Sequence, residues 1–260
     1  MVYKIICILT LAGFVSCSPV RKAMHPANPV VAHRGAWKKT GLPENSIASL
    51  KQAITLGCGG SEFDVRMTID DSLVINHDPA FKGMPIDKST YTQLTAVKLT
   101  NGETMPTLRQ YLEAGLQNNK STQLVIEIKP SDISKDRGRE MAAKTVAVVQ
   151  MLKAEKRVTY ISFDIDILRK IESIDAKAIT QLLDGSKNPA ELKAEKIDGA
   201  DYHISVFKMH PEWIAMAKQN KIILNVWTVN EDADMDWCIE NKFDFITTNE
   251  PERLRERLKQ

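Results

Sequence analysis

Short apolar runs separated by amphipathic stretches recur eight times between residues 29 and 248, and no long Gly- or Ser-rich linker interrupts them. The runs are PVVAH (29–33), SEFDVR (61–66), QLVIEIK (123–129), VTYISF (158–163), AITQLL (178–183), ADYHIS (200–205), IILNVWT (222–228) and DFITT (244–248). Each is of the kind a buried strand needs, and most lead into a stretch of helical period. Strand alternating with helix predicts a parallel sheet, and eight repeats predict an α/β fold closed as a (β/α)₈ TIM barrel. Asn45 or Ser46 is placed to cap a helix whose apolar face is Ile47, Leu50 and Ile54 and which ends at Gly57. Thr107-Leu108-Arg109-Gln110 fits a capping box. The stretch 66–106 is too long for one strand-to-helix connection. It holds a second alternating run, SLVINHD (72–78), among Pro and Gly, and predicts a small insertion between the second and third strands, over one end of the barrel.

The polar positions within the runs change the picture. Residues i and i+2 of a strand share a face, so Glu62 and Asp64 point together, away from Phe63; Glu127 with Lys129 and Asn225 with Trp227 repeat the arrangement, and His33 follows Val31. All lie at C-terminal strand ends, where barrels of this type build their sites. Glu62, Asp64 and Glu127 at one mouth would raise one another's pKa values unless neutralised. A hard divalent cation, Ca²⁺ or Mg²⁺, suits such oxygen donors, whereas Cys and His ligands would suit zinc. Arg34 and Lys129 are cations able to face phosphate oxygens, and His33 and His77 suit proton transfer near neutral pH. Together these groups point to phosphoryl transfer. Singly each has a plain structural reading: a solvated Glu-x-Asp, a turn at His77-Asp78, an intrastrand Glu127–Lys129 pair, a helix start at Pro43-Glu44-Asn45-Ser46, a core Trp227.

Thirty-five Lys and Arg against thirty-three Asp and Glu give a net charge of +2, without a block of like charge long enough to track a nucleic-acid backbone. With 260 residues, 43% of them hydrophobic, the chain is long enough for one large core. Residues 1–16 carry an early Lys4 and an apolar stretch too short to span a bilayer, the pattern expected of a lipoprotein-type signal peptide. It runs into Phe14-Val15-Ser16-Cys17, which resembles a bacterial lipobox with Phe where Leu is usual. Ordinary cleavage and secretion is the alternative. Residues 17–28 then form a tether to a barrel domain at 29–260. The expectation is an exported protein, periplasmic or at the cell surface, held at the membrane by a lipid on Cys17. Cys58 and Cys238 fall in units of the barrel too far apart to pair, so both are expected as free thiols.

AHRG (32–35), PENS (43–46), EFD (62–64), TIDDSLVINHD (68–78), EIK (127–129), NVWTVN (225–230) and TTNEP (247–251) give the chain its resemblance to the glycerophosphodiester phosphodiesterases, relatives of phosphatidylinositol-specific phospholipase C. The resemblance spans everything after the tether. It implies metal-assisted hydrolysis of a glycerophosphodiester to glycerol 3-phosphate and an alcohol, with Glu62, Asp64 and Glu127 holding Ca²⁺ or Mg²⁺ and His33 and His77 as the acid–base pair. It also implies Arg34 and Lys129 on the phosphoryl oxygens, Glu44 as a supporting acid near the metal, and Trp227 as a wall for the glycerol. The chain departs from the family at Asp71, in a turn where Gly is common, and at Phe245 and Asn249, which replace the usual Gly and Asp of the last strand. Two rivals carry their own tests. A glycosidase, disfavoured by cations beside both carboxylates, would cleave a chromogenic glycoside and not bis(p-nitrophenyl) phosphate. A non-catalytic lipoprotein would bind glycerophosphocholine without releasing glycerol 3-phosphate.

Overall fold

The computed structural model describes residues 28–259, so the expected signal peptide, the lipobox-like motif and all of the expected tether except Asn28 lie outside the described residues. Strand β1 (Val30–Ala32) leads through α1 (Ile47–Leu56) to β2 (Gly60–Met67). Next come β3 (Leu73–Ile75), the short pair β4 (Ala80–Phe81) and β5 (Met84–Pro85), α2 (Tyr91–Thr95) and α3 (Leu108–Leu116). The chain continues as β6 (Gln123–Ile128), α4 (Lys135–Met151), β7 (Val158–Ser162), α5 (Ile165–Ile174), β8 (Thr180–Leu182) and α6 (Pro189–Ala194). It finishes with β9 (Gly199–His203), α7 (Ile204–Met209), α8 (Glu212–Asn220), β10 (Ile223–Trp227), α9 (Asp232–Glu240), β11 (Phe245–Thr248) and α10 (Pro251–Arg257).

Eight of these strands close a parallel barrel in the order β1-β2-β6-β7-β8-β9-β10-β11. Val31 completes the ring by lying opposite Thr247 on one side and Gly60 on the other. The expected (β/α)₈ barrel is therefore the fold. The insertion is β3, which pairs antiparallel with the end of β2, followed by the β4–β5 pair and α2. Alternation sorts the side chains. Outward residues such as Phe63, Ile126, Tyr202 and Val226 join one continuous cluster with the helices, while Val31, Val125, Ile161, Leu183 and Phe245 fill the interior.

Seven of the eight expected strands stop short of their apolar runs at one end or both, and two show why. The run 178–183 is extended only over Thr180–Leu182, and the run 200–205 stops at His203, whose ring caps α7 by accepting from the Ser205 amide. Buried Ile204 and Phe207, three residues apart, show why the period changes there. The helix signals hold more closely. Ser46, not Asn45, caps α1, its hydroxyl accepting from Ser49 N; Gly57 ends the helix at φ 67°; and Thr107 and Gln110 form a reciprocal capping box. Gly35 has φ 84°, and a Cβ there would lie 2.4 Å from Ser49 Oγ and 2.7 Å from the Ser49 carbonyl carbon, so only glycine lets the loop after β1 rest on α1.

Cys58 and Cys238 are free and buried, as expected, and burial pushes both thiols up to about 12. Ellman titration is expected to find both residues in urea without reductant and to react slowly with them in the native state. Finding neither thiol in urea would contradict the free state.

Candidate active site at the barrel mouth

Because Glu62 and Asp64 share the inner face of β2 and Asp64 lies opposite Glu127 of β6, three carboxylates converge. One oxygen from each lies within 4.8 Å of the other two. Phe63, between them in sequence, faces outward and packs against Tyr111 with ring centroids 4.4 Å apart. Glu62, Asp64 and Glu127 are 2%, 0% and 7% exposed, so water does little to offset their charge. Lys129 Nζ supplies one cation, 2.8 Å from Asp64 Oδ1 and 2.6 Å from Glu127 Oε1. Burial alone would raise the Asp64 carboxyl, but this ammonium outweighs it and holds Asp64 below its usual range. One ammonium does not satisfy three acids. Burial, then the charges of Asp64 and Glu127, drive Glu62 well above the carboxylate range, and burial with Asp64 pushes Glu127 up to about 7. Glu62 Oε2 accepts from the Arg34 amide at 2.8 Å, while buried Oε1 has no hydrogen-bond partner. An oxygen-only donor set with an unclaimed buried oxygen and surplus negative charge fits a hard divalent cation.

That surplus has a measurable consequence for the metal-free protein. A carboxyl raised from 4.5 to about 7 keeps its proton in the folded state after the unfolded chain has lost it. Between those pH values the folded chain binds more protons, so the contribution of Glu127 to stability falls as pH rises. In EDTA, Glu127→Gln is expected to flatten the fall of Tm between pH 5 and 7.5 relative to wild type. An equal or steeper fall in the variant would refute this.

The segment Pro43 to Ser46 divides its labour. Ser46 caps α1, whereas Asn45, at φ 58°, donates through Nδ2 to Asp64 Oδ2 at 2.7 Å and accepts from Asp64 N at 3.2 Å. Asn45 thus orients an acid of the cluster. In the sequence Asn45 has the pattern of a helix cap, a role that Ser46 takes in the structure. Glu44 is not one of the three clustered carboxylates. It grips Arg34 instead, both oxygens 3.0 Å from Nη1, because its loop carries it to the guanidinium. Arg34 Nε stands 3.6 Å from Asp64 Oδ2.

His33 is tied at Nδ1 to Asn249 Oδ1, 2.7 Å away, which leaves Nε2 directed into the mouth, 3.9 Å from Glu62 Oε2. An amide oxygen only accepts, so the ring proton belongs on Nδ1 and the lone pair on Nε2. Burial, then the Arg34 charge, lowers His33 to about 4. Asn249, one of the departures from the family pattern, is therefore the orienting partner of this ring, and its backbone N–H donates to Asn230 Oδ1 at 2.9 Å. His77 comes from the insertion. Its Nδ1 is 2.8 Å from Asp78 Oδ1, and Arg66 Nε donates to its carbonyl oxygen at 2.8 Å.

Trp227 closes the opposite side, with Nε1 donating to the Asp201 carbonyl at 2.8 Å and its ring edge-on to Phe163 and His203, centroids 5.6 and 5.2 Å away. A cleft of about 500 Å³, open to solvent at the barrel mouth, lies between two walls. His33, Arg34, Glu62, His77, Glu127 and Lys129 form one; Ile161, Phe163, Leu183, Asp201 and Trp227 form the other.

A closed barrel whose mouth sets carboxylates for a hard cation beside guanidinium, ammonium and imidazole groups has the build of a phosphoric diester hydrolase. Residues 33–253 match the glycerophosphoryl diester phosphodiesterase family, and the chain belongs to it. A glycerophosphodiester phosphodiesterase of Caldanaerobacter subterraneus subsp. tengcongensis is 32% identical over 244 residues, which cover 86% of this chain and 95% of the relative. The crystal structure of a glycerophosphodiester phosphodiesterase from Parabacteroides distasonis superposes with a TM-score of 0.86 at 38% identity, covering 91% of this chain and 98% of that one. An Oleispira antarctica phosphodiesterase, solved with the product sn-glycerol-3-phosphate, shares the fold with a TM-score of 0.76 at 20% identity, over 89% of this chain and 96% of its own.

Proposed function

We propose that this enzyme hydrolyses glycerophosphodiesters to glycerol 3-phosphate and an alcohol, with one divalent cation, Ca²⁺ or Mg²⁺, held by Glu62, Asp64 and Glu127. The observation that carries the reading is the meeting of three buried carboxylates within 4.8 Å, in the same cleft as Arg34, Lys129, His33 and His77. When bound, the cation polarises a phosphoryl oxygen and offsets charge that develops in the transition state. Arg34, steadied by Glu44, and Lys129 bind the remaining phosphoryl oxygens. His33 presents the Nε2 lone pair because Asn249 keeps the ring proton on Nδ1, and it takes the proton of the attacking oxygen, either that of water or that of the substrate's own 2-hydroxyl, the latter giving a cyclic phosphate that water then opens. His77 faces the cleft from the insertion and delivers a proton to the leaving oxygen, with the Asp78 carboxylate set against the ring that carries it. Trp227 forms the wall against which the glycerol packs.

The test is a coupled assay for glycerol 3-phosphate from glycerophosphocholine and glycerophosphoethanolamine, with Mg²⁺ or Ca²⁺ supplied. Binding of these diesters without product would reduce the protein to a ligand carrier. The reading extends to location, with a lipid on Cys17 holding the enzyme at the membrane surface. Cys17→Ala is expected to move the protein from the membrane to the soluble fraction of the cells that express it; continued membrane recovery would argue against the anchor. No helix among the described residues is long and apolar enough to cross a membrane.

A further inference from the structure

The far wall of the cleft contains an acid that none of the chemistry above uses. Gly199, Asp201 and His203 share one face of β9, while Ala200 and Tyr202 join the outward cluster, so Asp201 points into the barrel. The strand order sets β9 diametrically across the ring from β2, which carries Glu62 and Asp64. Asp201 is 1% exposed, lines the cleft, and its Oδ1 has no hydrogen-bond partner. The polar groups around it satisfy one another instead. Asn225 Nδ2 donates to Gln181 Oε1 at 3.3 Å, and Thr247 Oγ1 donates to Asn225 Oδ1 at 3.1 Å. Its other neighbours along the cleft include Ile161, Phe163, Leu183 and Trp227, and among the described residues no Lys or Arg lies within ion-pair distance of it. Burial, then the charge of Glu127, raises its carboxyl well above the usual range and so favours the form able both to donate and to accept.

An unsatisfied polar group on an apolar wall destabilises the ligand-free fold. The arrangement is explained when a ligand brings the missing partner. The phosphoryl end of a substrate is drawn to the side of β1, β2 and β6 by Arg34 and Lys129, so the group that reaches across the mouth is the carbon chain attached to it. We infer that Asp201 hydrogen-bonds the hydroxyls of the glyceryl group and makes the enzyme selective for hydroxylated over plain alkyl phosphoesters. Phe163 and Trp227 shape the slot; Asp201 supplies its polar contact. A site built to bond a hydroxyl penalises the analogue that lacks it, because the buried partner then stays unpaired.

The inference rests on the proposed reaction, and a binding measurement separates the two. With Ca²⁺ present, calorimetry on wild-type protein is expected to show glycerol 3-phosphate binding about 10- to 100-fold more tightly than propyl phosphate, which has the same carbon count and no hydroxyls. In Asp201→Ala the preference is expected to shrink to about 3-fold or less, without a lower Tm, since an unsatisfied group has been removed. Asp201→Asn, which retains a donor and an acceptor, is expected to keep most of it. Wild-type protein that binds both ligands alike, or a preference that survives in Asp201→Ala, overturns the inference. So does a variant that loses affinity for both ligands together while its Tm falls, because that marks a structural role. If the preference is present and depends on Asp201 but wild-type protein releases no glycerol 3-phosphate from glycerophosphoethanolamine, hydroxyl recognition stands and the proposed hydrolysis falls.

Discussion

EDTA is expected to lower kcat/KM for glycerophosphoethanolamine by ~10³-fold or more, and Glu62→Gln to raise the Mg²⁺ or Ca²⁺ concentration that gives half-maximal rate by at least ~10-fold. The first figure follows from the several kcal/mol a divalent cation supplies to a phosphoryl transition state, each 1.36 kcal/mol being a factor of ten in rate. Glu62 is the informative position because the three acids are not equivalent. Asp64 is engaged by Asn45 and Lys129, and Glu127 by Lys129, whereas Glu62 Oε1 has no partner and is the oxygen most available to a cation. Gln keeps the size of the side chain and an oxygen able to accept from the Arg34 amide, so the change removes charge with little change of shape. Removing a buried acid that the fold holds well above its usual pKa should also raise the Tm of the metal-free protein near neutral pH while weakening its response to added metal. A metal titration of activity that overlays the wild-type curve would contradict the ligand role of Glu62. Full activity in EDTA would remove the cation from the mechanism.

The part of this site that could be read in advance is the part that strand geometry determines locally. Two-residue alternation is enough to place Glu62 with Asp64 and Glu127 with Lys129, and the position of each pair at the end of an apolar run places it at the mouth. Partners that depend on barrel closure could not be read in this way. Asn249 meets His33 across 216 positions of sequence because β11 returns to lie beside β1. Asp201 has no acid beside it on its own strand, and its isolation becomes visible only when Gln181, Asn225 and Thr247 are seen to satisfy one another. Glu44 and Asn45 show a different limit: both occupy a tight turn, where one residue of register decides whether a side chain reaches the guanidinium, the acid or the helix end. The same applies to α7, where ADYHIS keeps strand alternation in its letters although its last two residues have already turned into a helix.

His33→Ala and His77→Ala are each expected to lower kcat for glycerophosphoethanolamine by ~10²-fold or more, with smaller changes in KM, because a proton in transit matters in the transition state and little in the bound ground state. The leaving group distinguishes the two roles. An alkoxide such as that of ethanolamine needs a proton as its bond to phosphorus breaks, whereas p-nitrophenolate departs readily without one. His77→Ala should therefore impair hydrolysis of bis(p-nitrophenyl) phosphate much less than hydrolysis of glycerophosphoethanolamine, and His33→Ala should impair both, since each requires an activated nucleophile. The structure supports this division through the partners of the two rings: an amide oxygen at Asn249 fixes a neutral imidazole with a free Nε2, and a carboxylate at Asp78 suits the ring that carries a proton. Asn249→Leu should then reproduce much of the His33→Ala loss, because Nδ1 is left without its acceptor and the ring is free to present the wrong tautomer. The opposite pattern, with His33→Ala spared on the p-nitrophenyl ester and His77→Ala equally slow on both substrates, would exchange the assignments. A near-normal rate on both substrates in either variant would remove that histidine from proton transfer.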